Sequence, residues 1–110
     1  MSLVRWDPDR ERTDLLYTLQ QRVAKEVAER TTSQRYYLGE NAAEKIAKLR
    51  EDLAGGDWVS PSVAAHLGQA ELALDRVTKV EAAAQEILLR LELLSLEQLR
   101  AERSDQWRWP

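Results

Sequence analysis

Cysteine is absent from the chain of 110 residues, and its absence excludes disulfide bonds and thiolate chemistry. The chain also contains no phenylalanine, only four glycines and only three prolines. Because glycine and proline are the residues that most often interrupt helices, their scarcity permits long uninterrupted helices. The β-branched residues are too few and too scattered to predict strands. A fold built on strands or disulfides is therefore not expected.

Other absences limit the partners and the location. A net charge of −3 provides no excess of cationic groups for displacing counterions from nucleic acid, so we do not expect nucleic acid as a general partner. No apolar run approaches the roughly 20 residues that span a bilayer. The N-terminus lacks the apolar segment of a signal peptide. We therefore expect a soluble, cytoplasmic protein that does not associate with a membrane.

Residues and motifs with recognisable site chemistry are also scarce. Histidine occurs once, at His66, and a single histidine without further ligands does not make a metal site. We interpret His66 as a residue of a helix surface or interface. No P-loop, glycine-rich dinucleotide motif or His-Glu-x-x-His motif occurs. We predict no catalytic, metal-binding or cofactor-binding residues, and a protein that is not an enzyme.

The residues that are abundant predict an all-α protein, since Ala, Leu, Glu, Arg and Gln dominate and are strong helix formers. Asp7 is a suitable cap for a first helix, which an apolar stripe predicts over about 8–30. A second helix is expected over about 33–54. Its start is open between Ser33 and Asn41, because each residue is a suitable cap.

A third, long helix is predicted after a glycine pair, with Ser60 as its cap. Its pattern continues over about 60–103, which corresponds to roughly 65 Å if the helix is unbroken. Residues 1–7 are an N-terminal arm and residues 104–110 are a tail. We predict one domain over 1–110, a three-helix protomer with two antiparallel helices and one long C-terminal helix, within an oligomeric helical bundle or coiled coil.

The long helix has more apolar surface than a single seam requires. Apolar residues at alternating spacings of three and four form a heptad-like seam along it. Toward its end, between about 87 and 99, additional leucines lie off this seam, and each leucine left in water forfeits about 1.5 to 3 kcal/mol. Since two shorter helices do not cover two faces of so long a rod, we predict self-association into a homodimer or higher oligomer. The residues predicted for this contact are Ile87, Leu88, Leu91, Leu94 and Leu96.

Tryptophan occurs four times, and most of its positions lie outside the helical stripes. Trp58, beside the glycine pair, is predicted to cover the core as a lid. Trp107 and Trp109 follow a polar stretch and are predicted as secondary anchors for a protein partner, since tryptophan is enriched in binding hot spots. The alternative is a tail that packs on the bundle or on a neighbouring subunit.

A helix-turn-helix is the main alternative for the segment over about 60–77. Apolar residues there fall close to the spacing of its two helices, with Gly68 at the turn, which would indicate a DNA-associated regulator. Against this, the recognition helix would present Glu71 and Asp75 to phosphates. A third possibility is an enzyme with its site at a helix interface. We favour a non-enzymatic interaction or structural subunit that self-associates through its long C-terminal helix and docks a protein partner.

Overall fold

The computed structural model describes residues 5–56, 58 and 60–110. These residues form helices and no strands, which confirms the predicted all-α fold. In chain order the helices are α1 (Pro8–Leu38), α2 (Ala42–Ala54), α3 (Pro61–Glu92) and α4 (Leu96–Ala101), followed by a short 3-10 turn over Ser104–Gln106. The two long helices, α1 and α3, lie side by side and form the body of the molecule.

Helix α1 begins as predicted but continues beyond the predicted end at about residue 30. The Asp7 carboxylate accepts hydrogen bonds from the backbone N–H groups of Asp9 (3.0 Å) and Arg10 (3.3 Å). The Thr31 hydroxyl donates to the carbonyl oxygen of Val27 (2.7 Å), four residues back. Threonine in this arrangement satisfies its hydroxyl within the helix. The Thr-Thr-Ser run over 31–33 is therefore part of α1, and the predicted end of the helix at about residue 30 is wrong.

Helix α2 begins at Ala42, so the start at Ser33 is wrong because Ser33 lies inside α1. Gly39 ends α1 with a φ of 70°, a left-handed conformation that favours glycine. Asn41 precedes α2, also with a positive φ, and its side chain makes no capping hydrogen bond. The break is thus a backbone turn, and the Asn41 side chain does not cap α2 as predicted. The end of α2, at Ala54, agrees with the sequence.

Helix α3 ends at Glu92, so the predicted continuous helix over 60–103 is wrong. Ser95 starts a separate helix, α4, through a reciprocal capping box with Gln98: the Ser95 hydroxyl accepts from the Gln98 N–H (3.3 Å), and the Gln98 side chain accepts from the Ser95 N–H (2.9 Å). Arg100 of α4 then donates to the Glu11 carboxylate at the start of α1 (3.0 Å). The chain therefore folds back on itself after α3.

The antiparallel pair of this bundle is α1 with α3. Near the start of α1, Arg12 donates to the carbonyl oxygens of Glu92 (2.7 Å) and Leu94 (3.1 Å). Near its end, the Tyr37 hydroxyl lies 3.1 Å from Nδ1 of His66. The resulting molecule is a rod of 78 × 26 × 20 Å. Its radius of gyration, 20.9 Å, far exceeds the roughly 13 Å of a compact domain of this length.

The two ends of the rod differ in their number of layers. At the end that we call proximal, α4 and the tail pack on α1. At the distal end, α2 packs on the first half of α3, and Arg50 donates to the Glu71 carboxylate across this contact (2.8 Å). The distal end thus consists of a helix pair with the last turn of α1 beside it.

The apolar core lies at the proximal end. Its buried members come from α1, α3, α4 and the tail, and are Val23, Ala84, Ile87, Leu91, Leu99 and Trp107. The expectation that a single chain leaves the 87–99 segment uncovered is wrong for the three core residues within it, because α1, α4 and the tail cover them. Leu89 and Leu93 do remain exposed on the outer face.

Replacing Leu91, which is completely buried, should therefore be costly. We expect Leu91→Ala to lower the free energy of unfolding by about 2–5 kcal/mol, because it removes buried apolar atoms and leaves a cavity. Leu93→Ala, at a residue that is 86% exposed, should change it by less than about 0.5 kcal/mol. Urea denaturation measures both, and similar losses for the two variants would contradict this placement of the core.

Candidate interaction surface

The structure brings the predicted self-association residues together, but inside one chain. They occupy the proximal end, where three are buried in the core and the others are half-buried. The full set is Ile87, Leu88, Leu91, Leu94, Leu96, Trp107 and Trp109. Their main contacts are with α1 and with one another. A role for them in self-association stays a prediction, and the fold already gives most of this surface an intramolecular partner.

The tail packs on the helices of its own chain. The sequence had left this packing open as the alternative to a tail that anchors a protein partner. Trp107 is only 7% exposed, and its indole N–H donates to the Glu102 carboxylate (2.9 Å). Arg90 of α3 donates to both oxygens of the same carboxylate. Glu102 therefore joins α3 to the tail, a structural role that sequence reasoning missed. The sequence signal in this region, the Ser-x-x-Gln capping box that starts α4 at Ser95, indicates a break in the long helix but does not identify Glu102.

The last residues of the chain hold α1 and α3 together. The Arg30 guanidinium lies over the Trp109 ring, 4.8 Å from its centroid, and pairs with Glu26 at 3.4 Å. Arg76 of α3 donates to the carbonyl oxygen of Pro110. The tail thus extends along the α1–α3 groove to the level of Arg76, roughly the middle of the rod. The tail is therefore packed against α1 and α3 and is not a free peptide.

Beyond the tail, the distal end contains an open apolar groove of about 300 Å³. The last turn of α1, the inner face of α2 and the first turns of α3 line it. The lining residues are Tyr37, Leu38, Ala42, Lys45, Ile46, Leu49, Val63, His66, Leu67 and Ala70. The Tyr37 hydroxyl donates to Oε1 of Gln69 (3.3 Å) and lies beside His66, so polar contacts close one edge of the groove. Its volume is at the lower limit of ligand-binding pockets.

Exposed apolar side chains accompany the groove. Val63 is 38% exposed on its wall, and Leu53 and Tyr36 are also exposed at this end. Trp58 is 84% exposed, so its predicted role as a lid over the core is wrong. An apolar groove with exposed apolar residues on its wall is typical of interaction sites. The distal groove with its exposed neighbours is the candidate interaction surface of the chain.

The physical cause of the open groove is the missing third layer. Helix α2 has a regular apolar stripe, formed by Ala42, Ile46, Leu49 and Leu53, and its main packing partner is one helix, α3. Two helices in contact cannot bury their apolar stripes completely, because each stripe is wider than one helix–helix contact. At the proximal end, α4 and the tail supply the additional layer.

Other classes of site are not supported by the described part of the chain. No group of three or more histidine, aspartate or glutamate residues there lies close enough together to hold a metal ion. None of the helices in the described ranges has the combination of length and apolar character needed to cross a membrane. Helix α3 runs unbroken through Gly68, so the alternative of a helix-turn-helix over about 60–77 is wrong: its turn is absent.

Acid should loosen the tail through Glu102. Hydrogen bonds from Arg90, together with that from Trp107, lower the pKa of this carboxyl below its ordinary value of 4.5. A carboxylate whose pKa is lower in the folded state stabilises the fold fully above the ordinary pKa, and this contribution disappears as the pH falls through the folded value. We therefore expect Glu102→Gln to cost about 1–2 kcal/mol at neutral pH.

Denaturation of both proteins at several pH values measures this contribution. The difference in unfolding free energy between wild type and Glu102→Gln should be constant above about pH 5.5 and shrink below about pH 4.5. Glu97→Gln is the control, because the Glu97 side chain is 83% exposed and should give a small difference. A wild-type advantage over Glu102→Gln that is unchanged at pH 3 would contradict the assigned role of Glu102.

Comparison of the chain with protein-family models, with curated proteins and with solved structures finds no match. No relative therefore assigns a role to the groove, to the tail or to any single residue. The features on which a proposal can be based are geometric: a closed proximal core and an open distal groove.

Proposed function

We propose that the protein is a non-enzymatic helical interaction subunit that self-associates through its long helix α3, at the distal end where α2 lies beside it. The observation that carries this proposal is the open apolar groove of about 300 Å³, with exposed apolar residues around it. Burial of such residues is the main driving force of protein association.

Burial of the exposed apolar residues contributes an attractive term to association. Fully burying a valine or leucine side chain from water is worth about 1.5–3 kcal/mol, and partly exposed residues gain a corresponding fraction. Val63 and Leu53 are both partly exposed here, and a symmetric dimer buries each of them twice. A micromolar dissociation constant corresponds to a binding free energy of about 8 kcal/mol. Several such residues in each subunit reach this value only when the partner fills the groove well.

The proposed contact lies on a different part of the long helix from the one that the sequence indicated. The apolar excess in the sequence indicated the segment over 87–99. In the fold, most of the apolar side chains of that segment are buried in the proximal core or packed against it. Trp107 is buried, so it is not proposed as an anchor for another protein. For a further protein partner in the cytoplasm, Trp58 is the better candidate anchor, because its indole is exposed beside the turn between α2 and α3.

A charge placed on the groove wall tests the proposal. Val63 is the third residue of α3, and its backbone N–H donates to the Ser60 hydroxyl (3.3 Å). Val63→Glu introduces a carboxylate that can complete a capping box with Ser60, so the helix should remain stable. We expect wild type to sediment as a dimer or larger species at micromolar concentration and Val63→Glu to sediment as a folded monomer.

Leu72→Glu is the matched control. Leu72 is 72% exposed and lies nine residues after Val63, on the opposite face of α3. The same change in charge on the same helix should leave the sedimentation of the protein unaltered. A wild-type protein that is folded and monomeric throughout the micromolar range would refute self-association. Equal effects of Val63→Glu and Leu72→Glu would refute the groove as its site.

A further inference from the structure

The geometry points to a specific partner arrangement for the distal groove, which rests on the proposed self-association: a second copy pairs about a two-fold axis, with the two α2 helices antiparallel. The observation behind it is the pair Lys45 and Asp52. Lys45 lines the groove, and Asp52 is half-buried on the same helix. Residues seven apart differ by only about 20° around a helix, so both lie along one edge of α2.

Two-fold symmetry makes each contact occur twice. In an antiparallel pairing, Lys45 of one subunit faces Asp52 of the partner subunit, and the reverse contact forms on the other side of the axis. Leu49, midway between them and on the groove wall, then lies near the axis. In a parallel pairing, the two copies of this edge lie on opposite sides of the contact, so Lys45 and Asp52 do not meet. The charges of this edge therefore select the antiparallel direction.

The two parts of the surface have separate roles in this arrangement. The apolar groove provides the affinity, since its side chains leave water on association. The charged edge provides direction and register, because exposed ion pairs contribute little attraction individually, whereas like charges held face to face are unfavourable. Two copies of the distal end together form a bundle with α2 and α3 from each subunit. Each copy thus supplies the layer that the other lacks.

Exchange of the two charges tests the pairing. We expect Lys45→Glu to raise the dimer dissociation constant about tenfold or more, since it places carboxylates face to face twice in each dimer. Asp52→Lys should raise the dissociation constant by a similar factor, because it places two lysines face to face at each of the same contacts. The double variant Lys45→Glu/Asp52→Lys should return to within about threefold of wild type. Sedimentation equilibrium of the full chain measures all four proteins.

The substitutions should leave the fold of α2 intact. Lys45 lies near the N-terminus of α2, where a carboxylate interacts favourably with the helix dipole, and Asp52 lies near its C-terminus, where a lysine does so. Lys79→Glu on α3 and Glu51→Lys on α2 are matched controls, with the same changes in charge at exposed positions away from this edge. They should leave the dissociation constant within about threefold of wild type.

The outcomes separate this inference from the proposed function. A monomeric wild type refutes self-association itself, and the pairing with it. A dimeric wild type in which Lys45→Glu is no weaker than Lys79→Glu, or in which the double variant fails to recover, overturns the antiparallel pairing and leaves self-association standing. Recovery in the double variant supports the pairing, because the two residues are about 10 Å apart within one helix and do not contact each other there.

Discussion

The contact of α4 and the tail with the α1–α3 pair is the constraint on which the rest of the structure depends. It adds a third layer at one end of a rod of 78 Å and leaves the other end with a helix pair. The buried core, with Leu91 and Leu99 at its centre, lies where this layer is present. Where it is absent, apolar stripes stay partly in water and an open groove results.

Glu102 shows how a few polar contacts maintain that layer. Its carboxylate accepts from Arg90 of α3 and from the indole of Trp107, so one side chain connects the end of the long helix, the turn after α4 and the tail. Nearby, Arg100 joins α4 to Glu11, and hydrogen bonds from Arg100 lower the pKa of that carboxyl. These are partly exposed ion pairs that orient the layer, while apolar burial supplies most of its stability.

The parts of the fold that sequence reasoning found were those with local causes. Composition predicted helices, and Asp7 and Ser60 marked two helix starts correctly, because a cap depends on residues within one turn. The errors had tertiary causes. Thr31 lies in α1 and is buried, where packing outweighs its weak helix propensity. Ser95 divides the predicted long helix because α4 gains more from covering the core than from extending a rod into water.

The same division applies to the candidate surface. Periodicity alone established that the chain has surplus apolar faces, since the spacing of apolar residues is a property of each helix by itself. Which of those faces stays open was decided by the direction in which the chain turns after α3. That turn covers Ile87 and leaves Val63 exposed, although both belong to the same heptad-like seam. Residues of one seam differ in exposure only through elements that are distant in sequence, and local patterns contain no information about them.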